Sequence, residues 1–456
     1  MTMVEDMAAF AAGTSYEDLS ERAARQVKLL VMDTIGCAIG SLGAEPVRFL
    51  RAQTDDFGGA GHCTLIGGGK TAPDRAAFYN AALVRYLDFN DGYMGRLATS
   101  HPSDNMGPVL AVSEYAGASG KDFMTALALA YQVQCRLCDE MNYEKKGFDQ
   151  PMAGAYAVAA GASRALGLDP EHAANAIALS GVSGNPLFVT RTGTISHWKG
   201  FAYAGGAFNA VHATFMAMRG VTGPLGVIEG PLGVVDSITG PIDIDWNREN
   251  LEKVLDVSIK KYNSGLHAQT AIEGVLEMKA EHGFSPEDVE RIDITTYERA
   301  HFIMGGGMGG DRQVVPNKET ADHSMPYVLA VALLDGHVMP AQYEDERIQK
   351  EDVQTLLRKV FCSHADEITD RYPAQTPCQF RTALKDGTVH TNERPDYEGF
   401  FAHPMSWDTV VGKFEALSER HTDSALRGEI ADAVSRLESI QARELADLLE
   451  RVKEAA

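Results

Sequence analysis

The chain has 456 residues, of which 45% are apolar and 23% are charged. This is an ordinary globular composition, and the length allows two or three domains or one large domain with an insertion. Its 63 acidic and 41 basic residues give a net charge of −22. Nucleic acids and anionic membranes bind basic surfaces, so we expect neither as a partner.

The six cysteines are too few for a disulfide framework. Cys135 and Cys138 form a C-x-x-C pair in a helical stretch, with no second pair and no flanking histidine. We interpret them as buried core thiols. The acidic start of the chain lacks the basic segment of a secretory signal, and no apolar run reaches the ~18 residues that cross a bilayer. We therefore expect a cytoplasmic protein.

Apolar residues at helical spacing predict helices through most of the first 260 residues. Predicted helices cover residues 73–87 and 120–142. Two alanine-rich helices follow and meet at Gly167–Pro170, and another helix runs from Ser196 to Gly220. Strands do not alternate with helices in this part of the sequence, which argues against a doubly wound parallel sheet.

The pattern changes around residue 265. Residues 289–298 alternate between polar and apolar, as a strand does, and residues 379–391 predict a hairpin with its turn at Asp386-Gly387. After about residue 405 the pattern is again purely helical. We therefore predict a mainly α fold in which a large all-helical domain, residues 1–265 and 403–456, is interrupted by a smaller α+β domain, residues 266–402.

Residues 86–110 form a stretch with several charged side chains between two predicted apolar helices. The stretch holds Asp88, Asp91 and Asp104 together with His101, and carboxylates near a histidine suit proton transfer. Thirteen residues and a loop bounded by glycine and proline separate Asp88 from His101, so we expect the chain to fold back and bring them together. A neighbouring carboxylate would stabilise the charged imidazole. Alternatively, Asp91, Asp104 and His101 only cap helices.

Further stretches offer cations. Ser196 is a candidate helix cap that places Lys199 in the first turn, where a lysine and exposed amides can hold an anion. Lys260 and Lys261 come just before a helix start that contains His267, which suits the binding of carboxylates. The alternatives are a solvated lysine at position 199 and a histidine at position 267 that caps its own helix.

Three short strings suggest a different chemistry. Ser196-x-x-Lys199, Ser103-Asp104-Asn105 and Lys70-Thr71 are similar to the motifs of penicillin-binding serine enzymes. Their order along the chain is reversed, and Ala72 stands where those enzymes have glycine. We keep a serine acyl-enzyme hydrolase as an alternative from another class.

Seven segments resemble the MmgE/PrpD family, which contains 2-methylcitrate dehydratases, cis-aconitate decarboxylases and iminodisuccinate epimerases. They occur in family order and span nearly the whole chain. The segments are LDFNDGY (87–93), SHPSDNMGPVL (100–110), ISHWKGFAYA (195–204), the TGP…EG…G run (222–233), LHAQTAIE (266–273), ETADHSMPY (319–327) and FAHPMSWDTVVGKF (401–414). The resemblance implies a large helical domain, a small α+β lid and a homodimer.

The resemblance also implies a pocket. Its expected catalytic residues are Asp88, His101, His267 and Tyr327, although Tyr327 taken alone would be a core residue. Its expected substrate-binding residues are Lys199, Lys260 and Lys261. To these we add three charged residues that the resemblance does not supply, Asp91, Asp149 and Arg191. Decarboxylases of the family have threonine where this chain has Gly92 and histidine where it has Asp149, whereas the HPSDN and HAQTA strings are similar to the dehydratases.

Loss of water from a hydroxy-tricarboxylate needs a base for the proton alpha to a carboxylate, an acid for the leaving hydroxide and cations for the carboxylates. We therefore predict a hydro-lyase for a small di- or tricarboxylate, with no metal and no cofactor, since no cysteine cluster suits an iron–sulfur centre. The alternatives are a decarboxylase, a carboxylate epimerase or a non-catalytic scaffold. We also expect the lid to close over the pocket and to bring Tyr327 with it.

Overall fold

The computed structural model describes residues 1–192, 195–307 and 311–454. It is mainly α-helical, as predicted. Internal contacts divide the chain into two compact units, which are described separately. The helical unit comprises Met1–Thr190, His197–Ile259 and Ser406–Ala456, and the α+β unit comprises Arg191–Ser196 and Lys260–Met405. The division into domains at residues 265 and 403 stays a prediction.

Helices dominate the chain up to residue 217, with two pairs of two-residue strands between them. In chain order the elements are α1 (Met3–Gly13), α2 (Glu21–Gly40), α3 (Glu45–Phe57), β1 (Cys63–Thr64), β2 (Lys70–Thr71), α4 (Pro73–Tyr86), β3 (Tyr93–Met94), β4 (Thr99–Ser100), α5 (Met106–Ala116), α6 (Gly120–Glu140), α7 (Pro151–Ala165), α8 (Pro170–Ser183) and α9 (Trp198–Ala217).

Small residues let the helices of the helical unit pack closely. Gly154 on α7 faces the ring of Tyr203 on α9, and a Cβ atom at position 154 would meet that ring at 2.4 Å. The buried Tyr203 hydroxyl then donates to Asn105 Oδ1 at 2.8 Å. The glycine thus allows α9 to reach the polar stretch at residues 86–110.

The polar stretch turns back on itself through β3 and β4. These strands pair antiparallel, with Tyr93 opposite Ser100 and Met94 opposite Thr99. A short 3₁₀ turn, Pro102–Asn105, then leads into α5. The hairpin therefore returns residue 101 to the neighbourhood of residues 88–91, as the sequence predicts.

Among its described residues, the α+β unit forms a four-stranded sheet whose strands lie in the order β6 (Val360–His364), β5 (Val289–Thr296), β7 (Cys378–Leu384) and β8 (Val389–Arg394). Strand β5 pairs parallel with β6 and antiparallel with β7, and β7 forms a hairpin with β8 around Gly387, whose φ is +89°. The predicted strand and hairpin are confirmed. The elements are α10 (Gln269–His282), β5 (Val289–Thr296), α11 (Glu298–Met304), α12 (Lys318–Ala321), α13 (Met325–Asp335), α14 (Asp345–Ile348), α15 (Glu351–Leu357), β6 (Val360–His364), α16 (Asp366–Thr369), β7 (Cys378–Leu384) and β8 (Val389–Arg394).

The C-terminal helices belong to the helical unit again. They are α17 (Trp407–Ser418), α18 (Ser424–Ser435) and α19 (Ala442–Glu450). Lys413 on α17 lies 2.6 Å from Asp33 on α2, and its Nζ donates to the carbonyl of Phe89 at 2.8 Å. Helix α17 therefore fixes the backbone next to Asp88.

Taken singly, none of the described helices has both the length and the apolar composition of a membrane span. The pair α2 and α3 has both only when its two members, which are bent by 90°, are taken together.

Candidate active site

Asp88 lies just after α4 in a strained backbone conformation. Among the described residues only Asp88 and Leu232 combine a side chain with a positive φ, and the φ of Asp88 is +55°. Aspartate tolerates this region, and surrounding contacts must hold it there. Arg85, in the last turn of α4, donates from Nη1 to Asp88 Oδ1 at 2.7 Å, and both side chains are buried. The ion pair thus holds the Asp88 carboxylate in one position.

Lys199 supplies a second cation to Asp88. It is the second residue of α9, in the first turn as predicted, and its Nζ lies 3.3 Å from Asp88 Oδ2. Only 7% of Lys199 is exposed, so the alternative of a solvated lysine is wrong. The prediction that Ser196 caps this helix is also wrong, because α9 begins after His197 and has no side-chain cap.

His101 approaches Asp88 from the other side of the hairpin. Its Nε2 lies 4.0 Å from Asp88 Oδ1, and its Nδ1 lies 2.6 Å from the carbonyl oxygen of Asp91. The backbone amide of His101 donates to Gln150 Oε1 at 2.8 Å. His101 precedes the 3₁₀ turn but makes no side-chain capping bond, so the capping alternative is wrong. The structure thus brings together the pair expected from the sequence.

Asp91, predicted to bind substrate, points into the protein instead. Its carboxylate accepts from the amide and hydroxyl of Ser103, at 3.1 and 2.6 Å, and from the hydroxyl of Tyr131 at 2.9 Å. Burial raises the pKa of this carboxyl to about 6, although these hydrogen bonds favour the charged form. A fully buried group with three protein donors is not placed to bind a substrate, so we withdraw Asp91 from the substrate-binding set.

Asp149 and Arg191 lie in different units. Asp149 is buried next to the His101 partner Gln150, whose amide donates to Asp149 Oδ1 at 2.8 Å. Arg191 ends the 3₁₀ turn Phe188–Arg191 and is half-buried. The substrate-binding roles of Asp149 and Arg191 stay predictions.

The α+β unit contains its own polar cluster around His267. The ring is almost fully buried, and its Nδ1 lies 2.7 Å from the hydroxyl of Tyr297. Burial lowers the pKa of His267 well below its usual value, and the positive groups Arg299, His323 and Lys260 lower it further. His267 is therefore a neutral imidazole at neutral pH, able to accept a proton. Lys260 itself is fully buried.

Two residues predicted for the site have structural roles instead. Lys261 Nζ lies 2.6 Å from Glu273 Oε1 and 2.8 Å from Glu398 Oε2, so two protein carboxylates already hold this cation. Tyr327 lies in the apolar core around α13, fully buried, and its hydroxyl donates to the carbonyl of Gln342. We withdraw Lys261 from the substrate-binding set and Tyr327 from the catalytic set.

Two residues of the motifs that suggested a serine acyl-enzyme hydrolase, Lys70 and Ser103, bind other side chains of the helical unit. Lys70 Nζ lies 3.2 Å from Glu114 and 3.4 Å from Glu450, which ties β2 to α5 and α19. The hydroxyl of Ser103 is buried and donates to Asp91. Both groups serve packing and internal hydrogen bonding, which argues against an acyl-enzyme mechanism.

Sequence reasoning missed Arg85, Tyr131 and Tyr297. The contact of Arg85 could have been predicted, because an arginine three residues before an aspartate at a helix end is correctly spaced for an ion pair. The contacts of Tyr131 and Tyr297 could not, since these residues lie 40 and 30 residues from the groups that they bind.

Two family models match the chain. The model of the MmgE/PrpD N-terminal domain matches residues 5–247, and the model of the MmgE/PrpD C-terminal domain matches residues 262–439. The chain belongs to the MmgE/PrpD family. The membership predicted from the sequence is thus confirmed.

Relatives of this family member carry different activities in their names. The chain is 27% identical over 392 residues to a 2-methylcitrate dehydratase of Escherichia coli (strain K12), which covers 78% of this chain and 77% of the relative. It is 27% identical over 405 residues to a mitochondrial 2-methylcitrate dehydratase of Yarrowia lipolytica, covering 82% and 75%. It is 23% identical over 470 residues to a cis-aconitate decarboxylase of Mus musculus, covering 96% and 91%.

The family matches include most of the polar groups described above. Asp88, His101 and Lys199 lie in the N-terminal match, and His267 lies in the C-terminal match. Lys260, like its neighbour Lys261, falls between the two matched ranges. The group around Asp88 is therefore a feature of the MmgE/PrpD N-terminal domain of this chain.

Proposed function

We propose that this MmgE/PrpD protein is a hydro-lyase, acting without a cofactor, that removes water from a small di- or tricarboxylate. The observation that carries the proposal is the buried group in which Asp88 contacts Arg85 and Lys199 and faces His101 Nε2 at 4.0 Å. Such a group combines a proton-transfer residue with cations for carboxylates. Relatives named 2-methylcitrate dehydratase support dehydration as the reaction.

The proposed reaction breaks a C–H and a C–O bond of the substrate and forms a carbon–carbon double bond and the O–H bond of the released water. A base removes the proton alpha to a carboxylate, the electron pair forms the carbon–carbon double bond, and the hydroxyl leaves as water after it receives a proton. His101 transfers a proton at Nε2, since Nδ1 is bound to the Asp91 carbonyl. Asp88 stabilises the positive charge of the doubly protonated ring, and Lys199 binds the substrate carboxylate as negative charge builds up on it.

His267 stays a predicted catalytic residue, and Lys260 stays a predicted substrate-binding residue. The neutral state of His267 suits a general base, and a buried lysine suits the binding of a carboxylate. The partner proposed for the whole protein is a small polycarboxylate.

The test of the reaction is turnover by purified, chelator-treated enzyme on 2-methylcitrate, citrate and related acids. A hydro-lyase produces an unsaturated acid, seen by its absorbance, with no added metal. Loss of activity on chelation that metal restores would refute the cofactor claim.

A parallel reaction in deuterium oxide separates the alternatives. Release of carbon dioxide would indicate a decarboxylase, which the relative from Mus musculus makes a specific second candidate. Deuterium uptake without loss of water would indicate an epimerase, and binding without any exchange would indicate a scaffold. A covalent penicillin adduct on Ser196, detected by intact mass, would indicate the serine enzyme.

The role of His101 is tested by His101→Asn. Asparagine has a similar polar side chain but transfers no proton, so we expect kcat to fall by roughly 10²-fold or more with little change in Tm. His172→Asn, at an exposed histidine of α8, is the matched control and should retain full activity. Activity within a few-fold of wild type in His101→Asn would remove His101 from the mechanism.

A further inference from the structure

Asp91 contacts His101 through its backbone carbonyl and the buried residues Ser103 and Tyr131 through its carboxylate. We propose that Asp91 is a positioning residue, whose backbone carbonyl fixes the tautomer of His101 and whose side chain keeps that carbonyl in place. This inference rests on the proposed function of His101 and assigns new roles to Asp91, Ser103 and Tyr131.

The tautomer follows from the donor and acceptor chemistry of the contact. The Asp91 carbonyl oxygen can only accept a hydrogen bond, and it lies 2.6 Å from His101 Nδ1. Nδ1 therefore carries a proton in every protonation state that keeps this contact. In the neutral ring the lone pair is then on Nε2, the nitrogen that faces Asp88.

The peptide group that bears this carbonyl is held on its opposite side. The amide of Gly92 donates to the carbonyl of Ser258 at 2.8 Å, and the amide of Ser258 donates back to Gly92 at 2.9 Å. In a trans peptide the N–H and the preceding C=O point in opposite directions. The bond to Ser258 thus directs the Asp91 carbonyl towards His101.

The side chain of Asp91 is held as firmly as its backbone. Tyr131 and Ser103 donate to its two carboxylate oxygens, and the Ser103 hydroxyl in turn accepts from Asn90 Nδ2 at 2.9 Å. All four residues are buried, so water does not compete for these bonds. Because the network holds the residue whose carbonyl binds His101 Nδ1, loss of a donor should let that carbonyl move and allow the other tautomer of His101 to form.

The test reads the tautomer directly by NMR of enzyme labelled with ¹⁵N-histidine. Long-range ¹⁵N–¹H correlations distinguish the two neutral forms, and the His101 signals are those that disappear in His101→Asn. We expect the Nδ1–H form in the wild type and a mixture with the Nε2–H form in Tyr131→Phe and Ser103→Ala. Tyr143→Phe is the control, because it removes another buried hydroxyl, bonded to Cys138, and should leave the tautomer unchanged.

Kinetics provide a second readout that a general loss of packing would not imitate. Tyr131→Phe should lower kcat by roughly tenfold with KM within twofold, as expected for a misoriented catalytic group. In a His101→Asn background the same change should have no further effect on kcat.

The inference and the proposed function fail in different ways. Wild-type His101 protonated only at Nε2, or an unchanged tautomer in both Tyr131→Phe and Ser103→Ala, would overturn the inference. Neither observation needs turnover, so neither depends on the substrate. Absence of turnover on every acid tested would instead count against the proposed function.

Discussion

Replacing Asp91 with asparagine should change how the stability of the protein depends on pH. Burial raises the pKa of the Asp91 carboxyl from 3.8 to about 6, against the effect of its hydrogen bonds. A carboxyl whose pKa is higher in the folded state favours folding when protonated. That contribution is complete below pH 3.8 and is lost as the pH rises through about 6. Above pH 6 the folded protein therefore holds a costly buried charge.

The size of this cost follows from the shift. The change in pKa from 3.8 to about 6 corresponds to on the order of 3 kcal/mol well above pH 6, and to about half of that at pH 5. Asparagine keeps an oxygen for the Ser103 amide, and the Tyr131 hydroxyl can turn to accept from its NH₂ group. Asp91→Asn should therefore gain on the order of 1.5 kcal/mol relative to wild type between pH 5 and pH 8.

Urea unfolding followed by circular dichroism at several pH values between 5 and 8 measures this difference. The free energy of unfolding of Asp91→Asn minus that of wild type should rise with pH, most steeply near pH 5, and level off above about pH 6. Asp56→Asn, at an exposed aspartate near the end of α3, is the control, because burial imposes no cost on a carboxylate there. A constant difference for Asp91→Asn, or one that falls with pH, would refute the argument from burial.

Three further predictions concern Lys199, Lys261 and the assembly. Lys199→Met should lower kcat/KM by roughly 10- to 100-fold, the equivalent of a charged hydrogen bond, and unchanged steady-state kinetics would exclude Lys199 from the site. Lys261→Met should lower the stability by about 1–2 kcal/mol, less than for a fully buried ion pair because the side chain is one-third exposed, with kcat/KM within twofold. A large loss of substrate affinity at unchanged Tm would instead restore Lys261 to the binding site. We also expect a homodimer, and a mass by light scattering of one 49.3 kDa chain would contradict it.

Local patterns in the sequence were enough to predict the type of most elements. A helix is recognised by apolar residues that recur every three to four positions. The strand at 289–296 is recognised by alternating polar and apolar residues, and the hairpin at 378–394 by a glycine at its turn. The proximity of Asp88 and His101 was predictable for the same reason, since the short hairpin that joins them is itself local. The family segments were visible because each is a continuous string of residues.

Tertiary structure decided which polar groups are available for chemistry. Asp91 and Asp88 are three residues apart in one loop, yet Tyr131, 40 residues from Asp91, helps to bury Asp91, while Lys199 pairs with Asp88. Lys261 looked equivalent to Lys260 until Glu398, 137 residues away, was found to bind it. Burial and ion pairing depend on which side chains, distant in sequence, lie around a residue in the folded protein. The residues next to it in sequence do not indicate which side chains those are.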